Sequence, residues 1–532
     1  MTDRWGWIAS HYIDEDEDKG FMDIFDLYKP FRNDLRKVNL NYLLQLICYV
    51  QRGSSGTFFV ELREGVGHVL GKVYKWELHL LAREALIHAD SGSTLKPPNK
   101  LPDMRDLVKL LSHIRRIPNE ISKREVKTPD GVLRSLHPIV HQQKRWQNTG
   151  EWDRFYRIFR IYNRDDLRPL LEQVTGVRLS TIYTLAMAIA GSADRGESKY
   201  HAGNDYSFLG IPDGERDAFF AMVGADLATL REKIETGQNK TSRKFDESWP
   251  YTWNPLEGSP LIRLWPDLPH AYLCPFPELL LRRVTEGLFF DLKDQKGFAN
   301  PYGKAFEAYV GEVLHAQFFG PLHRVVAEQP YKVSRDQDKH GIDWMVSDPT
   351  GHLMFECKTR RMTVDAKAKV DGEALTKALE ALADIVVQHY KNVDDALQGK
   401  THWKPDGVPV FPVIVTLEDW YLFTPNVVEC ITKLAKEKLA KINLAERLET
   451  TPFIVTSIAE FEVAGQAIAQ IGIGRYCASL VAKPASHFGL GMHAGHAFPD
   501  IKVEYKQLFP TSGQEMFGHV GPLKGLLHLT GC

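Results

Sequence analysis

Cysteine is scarce and scattered in this chain. The 532 residues hold six, at positions 48, 274, 357, 430, 477 and 532, and no two of them form a CxxC pair. That argues against a zinc ribbon or a disulfide framework and makes a reducing cytoplasm the natural setting. Long hydrophobic runs are missing as well. The apolar stretch Thr181–Ala193 is far shorter than the roughly 20 residues that cross a bilayer, and the opening MTDRWGWIASHYIDEDEDKG is acidic where a secretory leader would carry an apolar core. No membrane association is expected. Charge of one sign is not in excess: 66 basic against 68 acidic residues give a net charge of −2. Any affinity for nucleic acid must then come from local basic patches. Internal repeats and low-complexity tracts are absent.

What is present is ordinary globular composition, 43% hydrophobic and 25% charged, over a length that calls for several domains. Residues 1–248 read as a mainly helical module. Asn39–Val50, Trp76–His88, Met104–Ile117, Val177–Ala190 and Glu215–Thr236 repeat apolar residues every three or four positions. Within it, HQQKRWQNTGEWDRFYRIFRIYNR (141–164) interleaves basic and aromatic side chains. Phe155, Phe159 and Tyr162 form one helical face; Arg157, Arg160 and Arg164 form its neighbour, either an arginine ridge for a phosphate backbone or a solvated basic face. Residues 249–290 change texture. Trp249–Glu278 holds seven prolines and three tryptophans, which excludes a regular helix and reads as an extended connecting arm. A helix over Glu278–Asp291 leads into residues 291–462, which alternate helix and strand: a helix over Lys304–Phe319, a strand in His323–Val333, a helix over Asp371–Lys391, a β-branched strand Val410–Leu417, a helix over Asn426–Glu449 and a strand Phe453–Ile458. Pro412 suggests an edge or a bulge in the Val410 strand. Residues 463–532 form an Ala/Gly-rich extension of unclear fold; His487, His493 and His496 read as ordinary histidines of a glycine-rich loop, and GIG at 472–474 lacks the third glycine of a dinucleotide site.

The most informative stretch is GIDWMVSDPTGHLMFECKTR, Gly341–Arg360. Two apolar runs flank DPTG, which has the residues of a tight turn. With DPTG as the loop, Ser347 faces His352, and counting outward sets Asp343 opposite Glu356. Residues so opposed have Cβ atoms roughly 4.5–5.5 Å apart. Period-2 alternation adds Lys358 to the face of Glu356 and turns Phe355 and Cys357 into a core. The hairpin thus presents Asp, Glu and Lys together, a set suited to a hard divalent cation with an ammonium beside it.

Asp343 followed by Glu356-Cys357-Lys358 resembles the D…(D/E)xK signature of the PD-(D/E)XK nuclease superfamily, with Ile342 in place of the proline. The resemblance spans about Lys293–Glu462. It implies a multi-domain α + α/β chain: a mainly helical N-terminal half, then a restriction-endonuclease-like mixed-sheet α/β domain with a C-terminal extension. It also implies a glutamate on the preceding helix, where Glu307 stands, and a Mg²⁺ (or Mn²⁺) ion held by Asp343, Glu356 and the Cys357 carbonyl. Lys358 would orient the attacking water. Gln388, on the helix after the ExK strand, and Arg360 and Arg361 beside Lys358 are expected to contact nucleic acid.

These features lead to the expectation of a Mg²⁺-dependent endonuclease of double-stranded DNA, serving a prokaryotic restriction or anti-phage defence system with partner subunits. A homodimer is the simplest geometry for cutting both strands. The alternatives are a repair, recombination or mobile-element nuclease, or a DNA-binding assembly subunit that keeps the fold.

Overall fold

The computed structural model describes residues 23–52, 58–60, 70–92, 102–125, 129–143, 146, 151–241, 245, 248–334, 337–369, 372–422, 425–482, 489–518 and 520. The chain divides into two compact units. Among the described residues, the first takes in those up to Phe159, then Arg168–Gln295, and those from Gly513 on; the second takes in Arg160–Leu167 and Lys296–Ser512.

In the first unit the three- and four-residue apolar spacings become helices. Ile24–Leu35, Leu40–Arg52 and Met104–Glu125 each bury one stripe, and Lys75–His88 is buried nearly all round, in a common core that includes Phe31, Leu44, Leu81 and Leu111. The Pro/Trp-rich segment lies inside this unit. Trp249 is fully buried in the same core, its carbonyl accepting from the Arg83 guanidinium, which also lies 5.5 Å from its ring centre. Leu261–Arg263 and Ala271–Leu273 join Lys199–His201 and Gly224–Asp226 in a four-stranded sheet. Proline spacing indicated non-helical chain correctly, but the segment is core and sheet of the first unit, not an arm leading away from it. No helix among the described residues is long and apolar enough to cross a membrane; one pair, Arg168–Thr175 with Leu179–Ala193, passes on composition only when joined across a 65° bend.

The second unit is built on a five-stranded mixed sheet. Its strands are β1 (Arg324–Ala327), β2 (Trp344–Asp348), β3 (Gly351–Lys358), β4 (Val410–Thr416) and β5 (Ile454–Ser457), and they lie side by side in chain order. β1, β2 and β3 are antiparallel; β3, β4 and β5 are parallel. Parallel neighbours need crossover connections. Helix α2 (Glu373–Leu397) provides the first, and α3 (Pro425–Ala440) with Ala445–Thr450 the second. β4 is buried along its whole length, as a β-branched run in a central strand should be. It is not an edge: Pro412 is tolerated because pairing with β5 begins only at Val413. On one face of the sheet Leu379, Leu382 and Val386 of α2 pack with Ile414 of β4 and Ile431 of α3. Helix α1 (Ala299–Gln317) packs against β3 from the other side, where Gly311 leaves room for the Trp344 ring.

The described residues from 463 to Ser512 continue this unit. Helix α4 (Ile458–Ile471) runs through the expected boundary and sets Phe461 edge-on to Phe355, ring centres 5.2 Å apart. Helices α5 (Ile473–Val481) and α6 (Leu490–Ala497) follow. The stretch read as a glycine-rich loop is thus partly helical: His493 is buried on α6 against the Ser479 hydroxyl at 2.6 Å, and His487 lies outside the described residues. The β2–β3 turn is fastened to the start of α5. Asp348 Oδ1 accepts from the Thr350 and Gly351 N–H groups, Asp348 Oδ2 accepts from the Ile473 N–H, and Thr350 Oγ1 accepts from the Gly474 N–H. This accounts for the GIG triplet. Gly472 has φ +101°, and a Cβ on Gly474 would overlap the Thr350 carbonyl oxygen. Gly474→Ala should therefore cost about 1–3 kcal/mol, read as a lower unfolding midpoint by roughly 2–4 °C per kcal/mol; an unchanged midpoint would show that the turn is not held there.

Candidate metal centre

The hairpin register is the one that turn chemistry and alternation require. Ser347 pairs with His352, Val346 with Leu353 and Trp344 with Phe355. The regular ladder stops there. One residue further, the Asp343 N–H reaches the Phe355 carbonyl and the Asp343 carbonyl accepts from the Glu328 N–H. The Asp343 carboxylate itself takes up the Cys357 N–H, at 2.6 Å from Oδ2. Asp343 is thereby tied across the hairpin to the residue next to Glu356. Glu356 is buried, and Lys358 Nζ lies 2.5 Å from its Oε1. Ser347 and His352 hold the other end of the hairpin. Ser347 Oγ is 2.7 Å from His352 Nδ1, and His352 Nε2 is 3.0 Å from the Asp406 carboxylate.

Electrostatics mark the site as short of positive charge. Burial pushes the Asp343 carboxyl up, Glu356 and Glu307 push it further, and it reaches about 8 despite the Cys357 N–H. Burial acts on Glu356 in the same sense, but His389 and Lys358 outweigh it and hold that carboxyl below its usual range. Glu307 on α1 is raised by burial, then by Glu328 and Glu356. For Lys358 burial is the largest effect and favours the neutral amine; Glu356 and Asp343 together overcome it, so the side chain stays an ammonium. The donor set fits a hard divalent cation: a half-buried and a buried carboxylate on opposite arms, of which Glu356 Oε2 has no hydrogen-bond partner. Cys357 offers only its carbonyl, since alternation turns its thiol to the far face, where burial lifts the thiol well above its usual range. Among the described residues no three or more His, Cys, Asp or Glu side chains close around one point. Mg²⁺ needs no such cage, because it binds through one or two carboxylates and keeps several waters.

The remaining expected residues fare differently. Glu307 is an electrostatic neighbour of the acids, and its carbonyl accepts from Trp344 Nε1 at 2.9 Å. Gln388 is exposed on α2. The residue that reaches the site is His389, fully buried, with Nδ1 3.6 Å from Glu356 Oε2, just beyond hydrogen-bond reach. The α2 apolar stripe carried the signal: Leu379, Leu382, Val386 and Val393 place position 389, not 388, on the buried face. Glu328, whose carboxylate accepts from the Gly341 N–H, was also missed; nothing local in the sequence distinguishes it. Arg360 is exposed beside Lys358 and open to a ligand. Arg361 is half-buried, donating to the Tyr302 hydroxyl at 3.2 Å, with Glu418 nearby.

The arginine ridge is not available as expected. Arg157 is buried, and Arg160 and Arg164 both pair with Glu312 of α1, at 2.9 and 2.5 Å. Glu312 offsets one of their two positive charges and holds both guanidiniums, so less of the charge and fewer of the donors are left for a phosphate backbone.

Compared with protein-family profiles, curated proteins and solved structures, the chain matches none.

The Asp343 shift gives a prediction for the metal-free chain. Its folded value, about 8, lies above the usual 3.8. Stability is therefore unaffected by this group below pH 4, falls as pH rises from about 4 to 8, and stays lower above. Asp343→Asn removes the penalty. Its unfolding midpoint should exceed that of the wild type at pH 8.5, by roughly 2–4 °C for each kcal/mol relieved, and the gap should close toward pH 4. Equal midpoints at pH 8.5 would mean that burial and the charge of Glu356 together do not raise the Asp343 carboxyl.

Proposed function

We propose that the second unit is a phosphodiesterase: a Mg²⁺- or Mn²⁺-dependent endonuclease of DNA. One observation carries the reading. The Asp343 carboxylate is tied across the hairpin to the N–H beside Glu356, whose charge helps raise the Asp343 carboxyl, and the Lys358 ammonium lies 2.5 Å from Glu356. Holding two acids this near each other costs stability, and a bound cation would relieve that cost. The D…ExK pattern resembles that of PD-(D/E)XK nucleases, and service in a prokaryotic restriction or anti-phage system is proposed on that resemblance.

Asp343, Glu356 and the Cys357 carbonyl would hold the ion. When bound it supplies Lewis acidity toward a phosphoryl oxygen and a water of lowered pKa. Lys358, kept protonated by its acidic neighbours, donates to the water or to a non-bridging phosphate oxygen and offsets charge as the phosphorus becomes five-coordinate. Glu307 and Glu328 add negative potential that favours cation uptake. Arg360, exposed beside Lys358, meets the flanking phosphate. The first unit is proposed to recognise the target, a partner subunit or a trigger.

The test is nicking of supercoiled plasmid with Mg²⁺ or Mn²⁺ by wild type, Asp343→Ala and Lys358→Ala. The wild type should cut, and each variant should lose about 10²–10³-fold or more. Equal rates in all three, or no cutting by the wild type with either ion, would overturn the proposal.

A further inference from the structure

Helix α2 packs almost entirely through apolar residues. Leu375, Leu379, Leu382 and Val386 lead along its buried stripe, and Val393 and Ala396 continue it against Met345 and Met354. Three polar residues interrupt the stripe: Asp394, paired with Gln398 and Arg447, and His389 and Asn392, at 0% and 4% exposure. A packing role alone would be filled better by leucine, because a polar group without full partners is costly to bury.

The partners of His389 and Asn392 show a common logic. His389 Nε2 lies 2.9 Å from the Met354 carbonyl oxygen, and Asn392 Nδ2 donates to the Gly341 carbonyl at 2.8 Å. Met354 stands two residues before Glu356, and Gly341 two residues before Asp343. One helix turn thus pins both arms of the hairpin, each just ahead of its acid. A carbonyl can only accept, so the His389 proton sits on Nε2. Ring geometry then aims Nδ1 at Glu356 Oε2, 3.6 Å away, and neither atom has a hydrogen-bond partner. Glu356 is held between this ring and Lys358 on its other oxygen.

We infer that His389 and Asn392 are positioning residues, which together set the separation of the Asp343 and Glu356 carboxylates for a single divalent cation. The inference rests on the function proposed above. Neither residue is placed on the ion; each fixes main chain two residues ahead of a ligand, and the His389 ring lies beside the Glu356 carboxylate. Partners of this kind govern metal affinity.

The test is calorimetric titration of the full, metal-free chain with Mn²⁺, which needs no turnover. His389→Phe keeps a ring of similar size and removes the nitrogens; Asn392→Leu keeps the shape and removes the donor. Both should bind Mn²⁺ roughly 10–100-fold more weakly than wild type, while His389→Gln, which restores a donor, should recover part of the loss. Asp343→Ala should abolish binding. A folded Phe or Leu variant that binds like wild type, with Asp343→Ala still inactive in binding, overturns the inference and leaves the nuclease reading standing. Wild-type chain that takes up no Mn²⁺, or uptake unaffected by Asp343→Ala, defeats the nuclease reading and the inference with it. If His389→Phe does not fold, Asn392→Leu decides alone.

Discussion

Asp343 and Glu356 are brought within electrostatic reach of each other where the β2–β3 ladder ends, so that burial and Glu356 together raise the Asp343 carboxyl to about 8. The Asp343 carboxylate cannot relax away from Glu356, because it is hydrogen-bonded to the N–H of Cys357, the very next residue. Burial then denies both acids the solvent that would screen them. A fold that only needed stability would replace this pair with apolar side chains. Retaining it makes physical sense if the missing positive charge arrives from outside.

Much of the surrounding architecture resists the repulsion. The hairpin lies between β1 and β4 in a sheet whose central strand is fully buried, so its arms cannot splay freely. Its turn is gripped by the N-terminus of α5 through Asp348 and Thr350. Its middle is pinned from α2 through His389 and Asn392. Strain of this kind persists only where its environment over-determines the geometry.

The hairpin was readable because its rules are local. A four-residue turn sets the register, and alternation with period 2 then assigns each side chain to a face without reference to the rest of the chain. The order of strands and crossover helices followed from similar local periodicity. Features that depended on distant partners were not readable in this way. The arginines of 157–164 form a regular basic stripe, yet Glu312, about 150 positions away, claims two of them, and no pattern near either residue announces the pair. The proline-rich segment misled for a related reason: prolines report that a helix is impossible, not whether the chain leaves the core or enters it, and Trp249 enters it. Gln388 was picked by matching residue type to an expected role, whereas the α2 stripe puts its neighbour His389, by position, on the buried face.

The central claim is that the two arms share one cation, and anomalous diffraction from crystals of the full chain soaked in Mn²⁺ tests it most directly. The expected result is a peak about 2.1–2.2 Å from oxygen of both Asp343 and Glu356, close to the Mg²⁺ distance and with the Cys357 carbonyl on the same ion. A peak bound to only one of the two acids, or none in the hairpin, would contradict the account.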